Sequence, residues 1–334
     1  MALPITGLAA GRLWGADFDV SADGTLVYIL ANRSPGSLVW IDRAGQEEPL
    51  SAPPRGYNYP RVSPDGARVA VDIGATGARD IGVWDIERGA LVPVASDPAE
   101  EWGVEWSPRG DSVYYASNQA GGTFLIYRRA ADGSGEPELV FPHTSFQVPQ
   151  DITADGSRMV VIESRPSPTD QFDLMALVLS NPVQRDTVLS TPGGEFNASL
   201  SPDGRYVAYQ TYEGGQSEVY ASPMDDARRE RVKVSLDGGE KPIWSPTGDE
   251  IFYRSATDSL MAASVVTEPR MQVRDVNALF RMGYGAFGNV SGRAWDVSPV
   301  DGRFLLVRYP PRQGVAGVHV VLNWTRELLR AMEQ

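Results

Sequence analysis

Side chains that could act as catalytic bases or as soft-metal ligands are scarce in this sequence. The 334 residues contain no Cys and only two His, His143 and His319. No Gly-x-Ser-x-Gly elbow occurs, so no serine nucleophile is presented to a His partner. A metal site built from several His or Cys ligands is excluded for the same lack of residues. We expect both His side chains to be structural or solvated.

Two short motifs imitate ligand-binding loops. Gly283-Tyr-Gly285-Ala-Phe-Gly288 matches G-x-G-x-x-G, but the following residues are strand-like, whereas a dinucleotide needs a helix N-terminus there. The segment 17–24, DFDVSADG, resembles a calcium loop, but its Gly is misplaced and no Glu closes it. We interpret the first as an extended loop and the second as a β-turn. A carboxylate-bound Ca²⁺ or Mg²⁺ in the pore is the only cofactor that the sequence leaves open.

Charge and composition exclude several classes of partner. Lys and Arg number 30 against 43 Asp and Glu, which gives a formal net charge of −13. Because no stretch concentrates basic residues into a stripe, nucleic acid is not an expected partner. We expect no signal peptide and no membrane span in this chain. The absence of Cys leaves the compartment open.

One phrase recurs seven times and predicts the elements that position the polar residues. Each copy has an apolar residue, a Ser or Thr, a turn ending in Gly, and an alternating apolar run. Successive copies begin 42 to 53 residues apart, and five of these six spacings lie between 40 and 49 residues. A repeat of this length fits four short antiparallel strands. We therefore predict an all-β fold, a single closed β-propeller of four-stranded blades, with seven blades preferred and six as the alternative. The marker residues are Ser21, Ser63, Ser107, Thr153, Ser201, Ser245 and Ser298.

The ends of the chain are predicted to close this propeller. A third strand follows each phrase, and residues 37–42 are expected to supply it for the first blade. The last repeat lacks an outer strand, which residues 3–8 could supply and so remove an open sheet edge. A short helical tail is expected over 325–334. We predict one domain over 1–334, with its closing strand within 1–10.

Two resemblances extend this prediction. SPDGARVAV (63–71) and SPDGRYVAY (201–209) resemble the TolB-type propeller repeat, over essentially the whole chain. LVWIDRAGQEEPL (38–50) and VVLNWTREL (320–328) are similar to a propeller region C-terminal to the kinase domain of some bacterial serine/threonine kinase-like proteins. The second resemblance implies a sensor region, extracytoplasmic if it belongs to a membrane kinase and otherwise cytoplasmic. No kinase motif is present. The oligogalacturonate lyases, which also resemble TolB repeats, hold their metal through several His, and two His are too few.

Alignment of the repeats predicts a binding site in the channel. The residues two before each marker are Asp19, Arg61, Glu105, Asp151, Ser199, Ile243 and Asp296, and four of the seven are acidic. Since the innermost strands surround the channel, these residues predict an acidic funnel, with Trp14, Tyr57, Trp102, Phe146 and Phe196 as an aromatic rim. The predicted ligand-binding residues are Asp17, Asp19, Tyr59, Arg61, Glu105, Asp151, Asn197, Lys241, Trp295 and Asp296.

The predicted funnel has two interpretations. Carboxylates beside aromatic faces suit a cationic ligand or a basic peptide. Alternatively, the charges only solvate a water-filled channel. We expect a monomeric, non-catalytic binding or sensory module for a protein, a peptide or a small ligand, with a metal-dependent lyase or hydrolase as the alternative. We also expect that neutralising Glu105 and Asp151 together leaves folding intact.

Overall fold

In a computed structural model of the chain, every element of the described residues is a β-strand. The structure describes residues 18–21, 24–29, 35–165, 172–181, 184–225, 230–283, 292–310, 318–322 and 324. The strands are β1 (Phe18–Val20), β2 (Leu26–Ile29), β3 (Ser37–Ile41), β4 (Glu47–Pro49), β5 (Tyr57–Val62), β6 (Arg68–Ala75), β7 (Ala78–Asp85), β8 (Ala90–Ala95), β9 (Glu101–Trp106), β10 (Ser112–Ser117), β11 (Leu125–Ala130), β12 (Glu138–Leu139), β13 (Gln147–Ile152), β14 (Arg158–Ser164), β15 (Phe172–Val178), β16 (Arg185–Leu189), β17 (Glu195–Leu200), β18 (Tyr206–Thr211), β19 (Glu218–Pro223), β20 (Val232–Lys233), β21 (Gly239–Trp244), β22 (Glu250–Ser255), β23 (Ser259–Val266), β24 (Gln272–Arg281), β25 (Trp295–Val297), β26 (Phe304–Arg308) and β27 (Val318–Val321).

These strands form seven antiparallel sheets, as many as the marker phrases predict. Six sheets have four strands and lie in a compact unit of residues 36–308. Five of the six are built from consecutive strands and begin with β5, β9, β13, β17 and β21. The sixth, the β25 sheet, has the order β25-β26-β3-β4. A second unit, residues 1–35 with 309–334, contains the three-stranded sheet β1-β2-β27.

The first and last repeats share strands in a way that the sequence analysis did not predict. β3 pairs with β26, where Val39 lies opposite Leu306, and not with β2. β2 pairs instead with β27. The prediction that residues 37–42 continue the first blade was therefore wrong, because strands of the same repeat position look alike locally and their partner is chosen by long-range packing. The predicted closing strand 3–8 and helical tail 325–334 lie outside the described residues.

Apolar clusters join each sheet of the 36–308 unit to the next. One buried apolar cluster lies at each of five successive interfaces, between the β5 and β9, β9 and β13, β13 and β17, β17 and β21, and β21 and β25 sheets. β25 and β26 in turn contact β5. Within the 36–308 unit, the six sheets therefore contact one another in a ring, in which N-terminal strands β3 and β4 complete a sheet begun by C-terminal strands. Burial on both faces explains why all six residues of β9 and of β10 are buried.

The marker turns form as predicted. Gly204 has a φ of 70°, and the Ser201 hydroxyl donates to Asp203 Oδ1 at 2.6 Å and accepts the Tyr206 backbone N–H at 2.9 Å. Because only Gly adopts this φ without steric cost, the phrase closes a tight hairpin between the first and second strands of each sheet. Each first strand thus ends at a marker turn.

Candidate functional site

The first strands of the six sheets line the centre of the ring. β5, β9, β13, β17, β21 and β25 each occupy one edge of their sheet. Neighbouring members of this set contact one another from β25 through β5, β9, β13 and β17 to β21, and a buried cluster joins the β21 sheet to the β25 sheet. Six of the seven aligned positions therefore lie on these innermost strands, and the seventh, Asp19, lies on β1. For the six markers from Ser63 to Ser298, the residues two and four positions before the marker are consequently brought to the centre of the ring.

Glu105 is held between two arginines in this channel. Arg61 Nε donates to Glu105 Oε1 at 2.6 Å, and Arg293 Nη2 donates to the same oxygen at 2.9 Å. All three residues are buried. Arg293 Nη2 also donates to the backbone carbonyl of Gln150 at 3.0 Å. Because the β25 and β13 sheets are three positions apart in a ring of six, the Arg293 side chain reaches across the channel.

Arg293 was not among the residues predicted from the sequence. This residue lies near the end of the long segment between the sixth and seventh markers, two residues before β25 begins. Its position five residues before Ser298 was the only signal that could have placed it beside the channel. The cationic group that an acidic funnel would attract is supplied in this structure by the chain itself.

Asp151 and Asp296 link neighbouring sheets. Asp296 Oδ2 accepts the backbone N–H of Val62, and Asp151 Oδ2 accepts that of Leu200, both at 2.8 Å. Ser199, at the equivalent repeat position, accepts the N–H of Trp244 at 3.1 Å. In three of the six sheets, the position two residues before the marker therefore joins its sheet to the backbone of the following one. The same position supplies channel carboxylates and ring-closing hydrogen bonds.

Burial perturbs both aspartates, although each keeps part of its surface exposed. Burial raises the pKa of Asp151 to about 6, and the nearby Arg293 charge opposes the rise. Burial also raises the pKa of Asp296, while Arg61 and Arg293 oppose that rise. Counting Arg61, Arg293, Glu105, Asp151 and Asp296, the channel holds two positive and three negative groups when all are ionised. These charges nearly cancel, so the channel carries a net charge of only −1 from its own side chains.

These contacts bear on the expectation that Glu105 and Asp151 are dispensable for folding. Glu105 neutralises two buried guanidiniums, and Asp151 accepts a backbone N–H of the next sheet. Removing one partner of a buried ion pair leaves an uncompensated charge, which typically costs about 3–5 kcal/mol. The contacts therefore lead us to expect that this double substitution destabilises the fold, because repeat alignment gives the side that a residue faces and not the residues that it contacts.

Residues four before the marker form a repeated backbone kink. Tyr59, Asn197 and Lys241 have φ values of 43°, 52° and 57°, and Gly103 occupies the equivalent position with a φ of 70°. The pairing of each innermost strand with its neighbour shifts register there. These are β-bulges, which re-aim the side chains that follow.

Side chains of the preceding sheet clamp two of these bulges. The Gly103 N–H donates to Asp72 Oδ2 at 2.9 Å, and the Lys241 N–H donates to Gln210 Oε1 at 3.1 Å. Asp72 and Gln210 each lie nine residues after their own marker. Burial raises the pKa of Asp72 to about 7, with Arg79 opposing. Tyr59, Asn197 and Lys241 therefore belong to a structural repeat as well as to the predicted site.

The remaining predicted residues lie elsewhere. Asp17 is outside the described residues. Asp19 is exposed on β1, in the unit of residues 1–35 and 309–334, and its Oδ1 accepts the N–H of Val20. Trp295 is only 1% exposed, and its ring packs 6.1 Å from that of Phe304. The structure thus brings together Arg61, Glu105, Asp151 and Asp296 of the predicted set, through Arg293.

A run of aromatic rings lies where the innermost strands begin. Neighbouring ring centroids are 5.5–6.2 Å apart from Tyr59 through Trp102, Phe146, Phe172 and Phe196 to Tyr212, and Phe124 contacts both Trp102 and Phe146. We call these seven residues the aromatic arc. It contains the predicted rim residues Trp102, Phe146 and Phe196, whereas Tyr57 is fully buried and donates its hydroxyl to the Pro53 carbonyl.

The aromatic arc lies at the edge of the ring opposite the marker turns. First strands begin, second strands end and third strands begin at this edge, because consecutive strands of a sheet are antiparallel. Phe124, Phe146 and Phe172 are partly exposed, and Tyr212 is 37% exposed. The Arg79 guanidinium lies 4.9 Å from the Trp102 ring centroid and pairs with Glu100 at 2.6 Å. The arc is a continuous, partly accessible apolar surface.

The described ranges contain no candidate metal cluster and no candidate membrane-spanning helix. Within them, no group of three or more His, Asp or Glu side chains is placed to hold a metal ion. In the same part of the chain, no helix is long and apolar enough to cross a membrane.

No family model matches the chain. An uncharacterized protein of Agrobacterium fabrum is 26% identical over 145 residues, which cover 42% of this chain and 48% of that protein. The matched segment therefore spans about half the length of this curated relative.

Comparison of the structure identifies TolB-like propellers among its neighbours. A putative TolB from Agrobacterium tumefaciens is 17% identical, with a TM-score of 0.64 over 83% of this chain and 99% of that one. TolB from Acinetobacter baumannii is 15% identical, with a TM-score of 0.56 over 79% and 80%. An oligogalacturonate lyase in complex with manganese is 14% identical, with a TM-score of 0.51 over 84% and 98%. Such likeness shows the fold alone, and the fold is shared by enzymes and other proteins.

Proposed function

We propose that this chain is a non-catalytic binding or scaffold propeller that recognises a protein or peptide through the aromatic arc. The observation that carries the proposal is the unbroken contact of seven aromatic rings along one edge of the six-sheet ring. Phe124, Phe146, Phe172 and Tyr212 retain exposed surface there. Aromatic side chains at such positions are the usual anchors of protein interfaces. The TolB-like fold supports a binding role of this kind.

Charge around the arc favours a partner that carries basic groups. Asp80 and Asp97 are exposed on the β5 sheet side, and both lie close enough to Glu101 to add to the rise that burial causes in its pKa. The chain has a net charge of −13. Negative potential beside an aromatic surface accelerates encounter with cationic segments and adds cation–π contacts. A basic peptide with aromatic or aliphatic residues fits this combination.

The channel carboxylates support this proposal less directly. Arg61 and Arg293 already neutralise Glu105, and Asp151 and Asp296 accept backbone N–H groups. A ligand cation deep in the channel would have to displace a guanidinium. We therefore place the main contacts on the aromatic arc and assign the channel residues a supporting role. A sensory function, which the kinase-linked resemblance implied, would use the same surface.

Peptide selection on the purified protein tests this proposal. Phage-displayed random peptides should yield binders enriched in Arg, Lys and aromatic residues, and their affinity should fall as salt concentration rises. Replacing Phe146 and Phe172 together by Ser should weaken these binders at least about tenfold, since each ring contributes a packed anchor. Val300→Ser is the matched control, because Val300 is 68% exposed at a marker turn on the opposite edge. Equal binding by both variants would refute the proposal.

The enzyme alternative has a separate test. A metal-dependent lyase or hydrolase with carboxylate ligands in the pore should purify with a stoichiometric divalent metal ion. Elemental mass spectrometry of the protein, purified without chelator, measures this directly. Stoichiometric metal together with loss of that metal in an Asp151→Asn variant would favour the enzyme over the binding module.

A further inference from the structure

Lys241 differs from every other strongly buried cation of the described ring. It lies on β21, one of the innermost strands, and is 5% exposed. Arg61, Arg79 and Arg293 are similarly buried, and each donates to a carboxylate. In the described part of the chain, no carboxylate and no hydrogen-bond acceptor contacts the Lys241 ammonium, whose nitrogen is not fully enclosed. A buried ammonium in this state lacks its counter-ion.

The charged groups that act on Lys241 do not supply that counter-ion. Glu240 is the one acid whose charge acts on it, and Glu240 Oε1 is bonded to Arg254 Nη1 at 2.6 Å. Arg254 itself disfavours the protonated amine. Burial is the largest effect and lowers the pKa of Lys241 to about 8, so the amine is still mostly protonated at pH 7.

Hydrogen bonds connect Lys241 to the aromatic arc. Gln210 Oε1 accepts the Lys241 backbone N–H, and it also accepts a hydrogen bond from Asn197 Nδ2 at 2.8 Å. The other end of the same amide donates to the hydroxyl of Tyr212 at 3.2 Å. Tyr212 is the exposed end of the arc. One side chain therefore spans from the lysine backbone to the proposed binding surface.

We propose that Lys241 is the anchor of a carboxylate-binding subsite at the channel end of the aromatic arc. Its ammonium would bind the carboxylate, while the adjoining aromatic rings would contact the apolar part of the ligand. The carboxylate could belong to a peptide, as its C-terminus or an acidic side chain, or to a free aromatic acid. The proposal deepens the proposed function and names one chemical group of its ligand.

Amine labelling tests for this subsite directly, because Lys233 and Lys241 are the only lysines in the chain. Lys233 is partly exposed and paired with Glu218, so it is the internal control. The protein is acetylated briefly across pH 6 to 10, with benzoate or with benzamide, and both lysines are quantified by peptide mass spectrometry. We expect benzoate to slow labelling of Lys241 about tenfold below pH 8 and to leave Lys233 unchanged. Benzamide should protect neither lysine.

The outcomes are distinguishable from those of the peptide test. Protection by benzoate supports a subsite for free acids, whether or not the arc binds peptides. If benzoate does not protect Lys241 from acetylation, peptides selected on the arc are prepared as C-terminal acids and as C-terminal amides, and their affinities for the protein are compared. A preference for the acid that is lost in Lys241→Met and kept in Lys233→Met supports a peptide carboxylate. The proposal is overturned if Lys241 does not react at any pH, or if neither benzoate nor a peptide acid protects it.

Discussion

Replacing Lys241 by Met should stabilise the free protein. Burial lowers the pKa of this lysine from 10.5 to about 8. Since each pKa unit corresponds to about 1.36 kcal/mol, the folded state is destabilised by up to about 3 kcal/mol wherever the amine is protonated in both states. Met is apolar and similar in length, so it fills the same space without a charge. We therefore expect Lys241→Met to raise the free energy of unfolding by up to about 3 kcal/mol at pH 7.

The pH dependence of this difference identifies its cause. Below pH 8 the lysine is protonated in both states, so the destabilisation is complete. Between pH 8 and 10.5 only the unfolded state binds the proton, so the wild-type protein gains stability as the pH rises. The advantage of Lys241→Met should therefore shrink over this interval and vanish near pH 10.5. Urea unfolding of both proteins from pH 7 to 10.5 measures it, with Lys233→Met as the control. A less stable Lys241→Met, or a difference independent of pH, would refute the reasoning.

Three further predictions concern the ring itself. Glu105→Gln should lower the free energy of unfolding by about 3–5 kcal/mol, because two buried guanidiniums lose their counter-ion. The control Glu87→Gln, at an exposed residue, should leave the free energy of unfolding unchanged. Equal losses of stability in the two variants, measured by urea unfolding, would contradict the ion-pair network of Glu105. Gly204→Val should cost about 1–3 kcal/mol through strain at its positive φ, and an unchanged urea midpoint would contradict that turn. Burial raises the pKa values of Glu101 and Glu195 to about 7, so the folded state binds more protons than the unfolded state between about pH 4.5 and 7. The protein should melt at a higher temperature at pH 5 than at pH 7.5, and changing both glutamates to Gln should flatten this profile.

Local features of the fold could be predicted because residues a few positions apart create them. The Ser201 hydroxyl and Gly204 close their turn within six residues, so the marker phrase was readable without tertiary information. Alternating apolar residues likewise predicted the third strands, such as 81–86, of which the structure places 81–85 in β7. Repeat alignment correctly assigned Glu105 and Asp151 to the innermost strands, since equivalent positions of a repeat occupy equivalent places.

The pairing of strands and the counter-ions of buried charges could be identified only from the tertiary structure. β3 could not be matched to β26 from the sequence, because every third strand has a similar pattern and the choice depends on how six sheets fit around one centre. The acidic funnel appeared from the sequence as unpaired carboxylates, yet Glu105 is neutralised by arginines 44 and 188 residues away. Whether a buried charge is paired or free depends on contacts across the ring. The sequence by itself determined that Glu105 and Lys241 lie on innermost strands, because each precedes its marker turn by a few residues. Only the tertiary structure decided that, among the described residues, Glu105 has its counter-ions and Lys241 does not, because those partners come from distant parts of the chain.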